Sequence, residues 1–190
     1  MNKIAVLFSG KGSNFAHIVE TLHLKSCEVV VALTNNPSAE GIAIAKKHNI
    51  ALEIIDSKAY KNREDFDALV VKTLEKYQPK LTVLAGFMRI LTPVFTQAIV
   101  AINLHPSLLP RHKGLHAIEK SYNDDFNEGG VSVHYVSSEL DGGEVILQKV
   151  LKKGTLSFEA YDHAIRSIEK EALVEAIGVV LNKENKNAKI

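Results

Sequence analysis

Residues 3–24 of the chain read KIAVLFSGKGSNFAHIVETLHL, and this stretch decides the fold. Its first part, 3–8, is apolar after Lys3 and rich in branched side chains, which is typical of a strand buried on both faces. A loop with two glycines follows. Apolar residues then recur at three- and four-residue spacing, as they do in an amphipathic helix. A buried strand, a glycine loop and a helix in succession predict an α/β unit.

The same alternation continues along the chain. Strands that are apolar on both sides and alternate with helices indicate a doubly wound, mostly parallel sheet with helices on both faces. The second half adds a hairpin-like pair of strands and a long final helix. The predicted strands are 3–8, 28–33, 51–55, 81–85, 99–104, 131–136 and 145–151, and the predicted helices are 14–24, 38–48, 63–77 and 157–181.

Neither a repeat nor a linker-like segment divides the 190 residues. A chain of this length buries a full core, so we expect a single domain over 1–190. The last segment, 182–190, is polar and is expected to fray.

Composition excludes several classes of function. The chain has 23 basic and 22 acidic residues, so neither nucleic acid nor an anionic membrane is an expected partner. Cys27 is the single cysteine, which excludes an internal disulfide and a cysteine-rich zinc site. We see neither a secretory leader nor an apolar run long enough to span a bilayer, and we expect a cytoplasmic protein. Monomer and homodimer both stay open.

The glycine loop Ser9–Asn14 joins the first strand to the first helix. Glycines let the backbone approach a ligand, and free amides at a helix start favour an anion such as phosphate. The dinucleotide-binding pattern would need a third glycine where Phe15 stands, and the Walker pattern is missing. A phosphate site and a plain tight turn therefore both remain possible for this loop.

Polar side chains gather where the fifth predicted strand ends. Asn103 and His105 are two residues apart, so on an extended backbone they point to the same side. Pro106 and Pro110 stop the strand and stiffen the segment that follows. Ligands of open α/β sheets bind at the carboxyl ends of the strands. The pair therefore predicts an amide and an imidazole facing one site.

A candidate carboxylate lies in the segment Leu140–Gly143. Two glycines follow Asp141 and permit unusual backbone angles. A carboxylate near an imidazole favours the charged imidazole and raises its pKa. Taken by itself, an Asp-Gly-Gly segment is usually only a turn.

These motifs together resemble the folate-dependent formyltransferases, and the resemblance extends to about residue 180. Within that family, the Gly-Leu-His-Ala motif favours the branch that formylates glycinamide ribonucleotide. The motifs that carry it are GKGSN (10–14), AGFMRIL (85–91), NLHPSLLP (103–110), GLHA (114–117), VSVHYV (131–136) and LDGG (140–143).

The resemblance implies a reaction. A formyl group would pass from 10-formyltetrahydrofolate, a co-substrate, to the amine of glycinamide ribonucleotide. The products would be formylglycinamide ribonucleotide and tetrahydrofolate, in purine biosynthesis. No metal is expected. Protonated His105 and Asn103 would stabilise the oxyanion by hydrogen-bond donation, and Asp141 would hold His105 charged and relay protons.

The resemblance also implies binding residues. Gly12, Ser13 and Asn14 would hold the substrate phosphate. The folate site would be lined by Met88, Arg89, Ile90, Leu91, Asn103 and Asp141, and closed by the backbone of 138–143. Arg63 would contact folate, with Lys58 as a competitor for that role. Glu169 is a possible ribonucleotide contact.

Rival functions remain at this point. Another 10-formyltetrahydrofolate-dependent formyltransferase, or a hydrolase of that compound, would use the same core residues. From its length and charge, we do not expect the chain to carry the RNA-binding domain of methionyl-tRNA formyltransferase. A non-catalytic folate- or nucleotide-binding module explains the glycine loop but gives no purpose to His105. The roles of His116 and His134 are undecided.

Overall fold

A computed structural model describes residues 1–187, and the backbone alone for 184–187. It contains a seven-stranded, mostly parallel sheet with helices, which confirms the predicted fold class. The chain divides into two compact units, the first Met1–Ile102 and the second from Asn103 on. The expectation of one domain over 1–190 stays a prediction.

The first unit has four parallel strands in the order β3-β2-β1-β4. Residues 4–8 of β1 are completely buried, as a strand covered on both faces requires. The strands are β1 (Asn2–Phe8), β2 (Cys27–Thr34), β3 (Leu52–Ile54) and β4 (Leu81–Leu84). The helices are α1 (Ser13–Leu22), α2 (Ile42–Lys47), α3 (Arg63–Glu75) and α4 (Pro93–Thr96), with a 3-10 turn at Ser57–Ala59.

The chain enters the second unit along β5 (Ala101–His105). Strands β6 (Glu128–Tyr135) and β7 (Val145–Lys152) are antiparallel, which confirms the predicted hairpin-like pair. Helix α5 (Ala117–Asn123) precedes β6, and helix α6 (Phe158–Asn187) closes the chain.

Helix α6 is longer than predicted. Its inner face buries apolar side chains at helical spacing, among them Tyr161, Ile165 and Ala172, whereas Phe158, predicted on the same face, is 41% exposed. The segment expected to fray from 182 is helical as far as Asn187. The rest of that predicted tail, 188–190, lies outside the described residues.

Helices α4 and α5 were not predicted, whereas α2, predicted over 38–48, is found at Ile42–Lys47. Helix α4 has four residues and α5 has seven, so neither repeats an apolar position often enough to give a helical pattern. Helix α4 begins at Pro93, in the first-turn position where a missing N–H has no cost.

The start of α4 depends on a buried carboxylate. Asp67 on α3 is 1% exposed and accepts hydrogen bonds from the Thr92 backbone N–H, at 2.6 Å, and from the Thr92 hydroxyl, at 2.7 Å. Both bonds go to the same carboxylate oxygen, Oδ2. We expect Asp67→Asn to lower the free energy of unfolding by about 1–3 kcal/mol, because a neutral amide oxygen accepts weaker bonds than a charged carboxylate. Urea titration measures this. The control is Glu64→Gln, the same acid-to-amide substitution at an exposed position of the same helix, which should change the free energy of unfolding little.

Candidate active site

The imidazole of His105 is held on both of its edges. His105 ends β5 and is 5% exposed. Its Nε2 lies 2.8 Å from the carbonyl oxygen of His112. A carbonyl only accepts, so Nε2 carries a proton. The other nitrogen, Nδ1, lies 3.3 Å from Oδ2 of Asp141. The imidazole and the carboxylate that the sequence placed 36 residues apart therefore meet.

Asp141 is fixed by contacts from three directions. It is 8% exposed and has a positive φ of 49°. Oδ2 accepts a hydrogen bond from the Gly114 backbone N–H at 2.9 Å, and Oδ1 lies 3.6 Å from Nε2 of His134. The carboxylate thus has a defined orientation toward the Nδ1 edge of His105.

Asn103 and His134 complete this cluster. The amide nitrogen of Asn103 lies 3.4 Å from Nε2 of His134. Nδ1 of His134 lies 2.8 Å from the Tyr135 carbonyl and donates to it, which turns Nε2 toward Asn103 and Asp141. His134, whose role the sequence left undecided, is therefore a direct neighbour of the candidate carboxylate.

Burial and neighbouring groups shift the pKa values of both members of the pair. The pKa of His105 is lowered by burial, which outweighs the opposing effects of the His112 carbonyl and Asp141. Burial raises the pKa of Asp141, but bonds from His134 and Gly114 and the nearby imidazoles leave that pKa below its usual range. Asp141 does favour charged His105, as expected from the sequence. The net shift of the His105 pKa is nevertheless downward, because desolvation is the larger effect.

Sequence reasoning gave no role to His112 and did not single out Gly114. Both contact the pair through backbone atoms, the His112 carbonyl and the Gly114 N–H. A backbone contact has no residue signature, since every residue type carries these groups. The glycine at 114 leaves one trace in the sequence, because its φ of 78° favours glycine.

The glycine loop lies in the first unit. Gly12, with φ 74°, is the residue before α1, and Ser13 and Asn14 begin that helix. A side chain at Gly12 would meet the Cα of Gly41 at 2.9 Å. The open amides of the helix start suit an anion, but the close contact with Gly41 equally explains the glycine as a structural need.

The segment Met88–Leu91 lies in the same unit. The Met88 N–H donates to Ser9 Oγ at 2.8 Å, so this segment is attached to the glycine loop. Met88 and Ile90 are 75% and 54% exposed, whereas Leu91 is buried. The guanidinium of Arg89 lies over the ring of Phe66, and its buried Nε has no hydrogen-bond partner among the described residues.

The structure gives the positions of the other predicted residues, whose roles stay predictions. Arg63 begins α3 and is exposed, and Lys58 is exposed in the 3-10 turn, so both stay candidates for a folate contact. Glu169 on α6 is 9% exposed, and burial raises its pKa. His116 is exposed and lies 3.8 Å from Glu119.

Two further observations concern residues 1–187. Within this range, three or more histidine, cysteine, aspartate or glutamate side chains do not come together in an arrangement that would hold a metal ion. No helix in the same range combines the length and the apolar character needed to cross a membrane.

The chain is an α/β protein with a buried imidazole–carboxylate pair at the end of β5. A family model described as formyl transferase matches residues 2–177. The chain belongs to the formyl transferase family and is a transferase.

The chain is similar to several known proteins. Phosphoribosylglycinamide formyltransferase of Escherichia coli is 39% identical over 149 residues, which are 76% of this chain and 70% of that protein. The crystal structure of the Campylobacter jejuni protein of the same name has a TM-score of 0.92 and 51% identity, and the match covers 95% of this chain and 97% of that one. The human trifunctional purine biosynthetic protein adenosine-3 is 35% identical over 78% of this chain and 15% of its own length.

Proposed function

We propose that the chain transfers a formyl group from 10-formyltetrahydrofolate to the amine of glycinamide ribonucleotide in purine biosynthesis. The products are formylglycinamide ribonucleotide and tetrahydrofolate. The observation that carries the proposal is the buried His105–Asp141 pair, with Asn103 beside it. The names of the relatives support the same reaction and do not favour another folate-dependent formyltransferase or a hydrolase.

The chemistry requires proton movement rather than an attacking side chain. The co-substrate supplies a formyl group on a nitrogen that leaves as an amine. Burial lowers the pKa of His105, which favours the form whose Nδ1 can accept the proton that the attacking amine loses. Asp141 then stabilises the charged imidazole until the proton passes to the leaving nitrogen.

Asn103 is the proposed oxyanion donor. The Asn103 amide nitrogen is oriented by its contact with Nε2 of His134, at 3.4 Å, and its second N–H is the one we assign to the oxyanion. A preorganised donor of this kind typically lowers the barrier by about 2.7–4 kcal/mol. In this mechanism His105 takes the proton from the amine, and Asn103 donates a hydrogen bond to the oxyanion.

The segment Met88–Leu91 fits a formylfolate. Two exposed apolar side chains, Met88 and Ile90, suit the flat face of an aromatic ring system. The guanidinium of Arg89, a half-buried residue, lies over Phe66 and supplies a positive charge that suits a polar atom of the same ligand. Arg63 or Lys58 would contact the acidic end of the co-substrate.

We assign the ribonucleotide phosphate to Gly12, Ser13 and Asn14, and a second ribonucleotide contact to Glu169. The start of α1 offers backbone amides and the positive end of a helix dipole. We also propose a cytoplasmic location, because the single cysteine is a buried free thiol, as is usual in a reducing compartment. Monomer and homodimer are both compatible with this function.

One assay tests the proposal. The protein is mixed with 10-formyltetrahydrofolate and an acceptor, and the folate absorbance is followed. We expect transfer to glycinamide ribonucleotide. We also expect a KM raised at least about tenfold for the riboside without phosphate, since hydrogen bonds to a charged group contribute about 1.5–3 kcal/mol. Transfer only to a sugar amine or to a transfer RNA would show that glycinamide ribonucleotide is not the acceptor. Release of formate alone would indicate a hydrolase. An equal KM for riboside and ribonucleotide would remove the phosphate assignment.

A further inference from the structure

Two backbone groups of the segment 111–114 hold the His105–Asp141 pair. The His112 carbonyl accepts a hydrogen bond from Nε2 of His105 at 2.8 Å, and the Gly114 N–H donates to Asp141 at 2.9 Å. The first bond keeps the proton on Nε2 and turns Nδ1 toward Asp141. The orientation of the imidazole therefore depends on where this segment lies.

The segment adopts a backbone conformation that needs support. His112 has a φ of 55° and Gly114 a φ of 78°. A positive φ is uncommon for a residue with a side chain and is kept only where surrounding contacts hold it. Contacts outside the segment must therefore stabilise His112 in this position.

The side chain of His112 provides the first of these contacts. Its Nε2 lies 2.6 Å from Oδ2 of Asp124. Arg111, the preceding residue, lies over the ring of Phe126, with 4.2 Å between the guanidinium carbon and the ring centroid. Its carbonyl accepts a hydrogen bond from Ser107 Oγ at 2.5 Å. The contacts with Asp124 and Phe126 attach the segment to the loop that follows α5, and the bond from Ser107 attaches it to the residues after β5.

Asp124 is anchored in turn by a buried lysine. Nζ of Lys153 lies 2.6 Å from Oδ1 of Asp124, and Lys153 is 8% exposed. The same ammonium donates to the carbonyls of Ser121, Tyr122 and Asp124 at 2.8–3.3 Å. Burial raises the pKa of Asp124, but bonds from Lys153 and His112 outweigh burial and leave that pKa below its usual value. Asp124 therefore stays charged and available to His112.

We propose that His112, Asp124 and Lys153 are positioning residues for His105. The buried Lys153 fixes Asp124, Asp124 fixes the imidazole of His112, and the anchored His112 keeps its carbonyl against Nε2 of His105. The inference rests on the proposed function in one respect, that His105 moves the proton. The contacts themselves do not depend on which amine is formylated.

The pKa of His105 separates this role from a simple charge effect. Asp141, His134 and His112 are the ionisable neighbours that act on it. When charged, His112 lowers the pKa of His105, so loss of that charge alone raises it. The hydrogen bond to the His112 carbonyl raises the pKa of His105, so a displaced carbonyl lowers it. The two explanations predict opposite signs.

The test is a histidine NMR titration of the full chain. In His112→Phe we expect the pKa of His105 to fall by roughly half a unit to one unit, because the carbonyl is no longer held. His112→Gln keeps a donor for Asp124 without the charge, and there we expect the pKa at or above that of the wild type. A pKa of His105 that is unchanged or raised in His112→Phe overturns the proposal.

Asp124→Asn tests the next link and is compared with Asp125→Asn, an identical exchange at an exposed neighbour. Lys153→Met is compared with Lys152→Met in the same way. We expect the pKa of His105 to fall in the first member of each comparison and not in the second. If Lys153→Met does not fold, Asp124→Asn decides alone, since it removes the same anchor without a buried cavity. Equal shifts in Asp124→Asn and Asp125→Asn overturn the proposal.

Kinetics distinguish failure of this proposal from failure of the proposed function. We expect kcat for formyl transfer to fall in His112→Phe while the KM for glycinamide ribonucleotide changes little, because the variant disturbs the imidazole and not the proposed phosphate contacts. A wild-type protein that transfers no formyl group would sink the proposed function, yet the titration would still decide the positioning role. If the wild type is active and His112→Phe keeps the same kcat, the positioning role is wrong and the proposed function stands.

Discussion

Replacement of Asp141 by asparagine is expected to reduce kcat for formyl transfer by about two to four orders of magnitude, the range of general acid–base catalysis. The amide keeps the size of the carboxylate but not its charge. The charged form of His105 then loses the partner that lies 3.3 Å from its Nδ1, and the proton taken from the amine is no longer stabilised. Single-turnover kinetics with saturating co-substrate measures the effect on the chemical step.

The control is Asp125→Asn, because Asp125 is exposed and lies outside the cluster. Circular dichroism should show both variants folded at neutral pH. The lowered pKa of Asp141 adds a second check. A carboxyl whose pKa is lowered on folding contributes stability above its ordinary pKa and loses it as the pH falls. The stability difference between wild type and Asp141→Asn should therefore narrow in acid. Activity within a few-fold of the wild type would remove Asp141 from the mechanism.

The elements that the sequence predicted best are those whose environment is uniform along their length. Strand β1 is buried along 4–8, so its uninterrupted apolar run correctly predicted a strand covered on both faces. Helix α3 was predicted as 63–77 and observed as Arg63–Glu75, with Asn62 as the cap that accepts from the Asp65 N–H. The pattern was less informative for α5, whose seven residues are too few to show a period.

The candidate site was predictable to the extent that side chains carry it. Asn103 and His105 follow from strand periodicity, and Asp141 followed only from the resemblance to a family. Their partners His112 and Gly114 act through backbone atoms, and Lys153 lies 48 residues beyond His105. Neither a backbone bond nor a distant ion pair produces a local pattern. The sign of the His105 pKa shift was also beyond the sequence, because it depends on how deeply the imidazole is buried.

The two glycines after Asp141 allow a matched experiment on the turn that carries the carboxylate. A side chain added at Gly143 would lie 1.8 Å from the carbonyl oxygen of Tyr135, which is backbone at the end of β6. A side chain added at Gly142 would instead meet the end of Glu139, an exposed and flexible side chain. Only the first contact forces the turn or the strand end to move.

We therefore expect Gly143→Ala to lower the free energy of unfolding by about 1–3 kcal/mol, as overpacking against a rigid neighbour does. We expect its kcat to fall about a hundredfold, since a displacement of roughly 1 Å in a reacting group has effects of that size. Gly142→Ala should keep most of the stability and most of the kcat, because the Glu139 side chain can adopt another rotamer. Urea titration and steady-state kinetics on the two variants make the comparison. Equal behaviour of the two alanine variants would show that the position of Asp141 does not depend on the contact between Gly143 and β6.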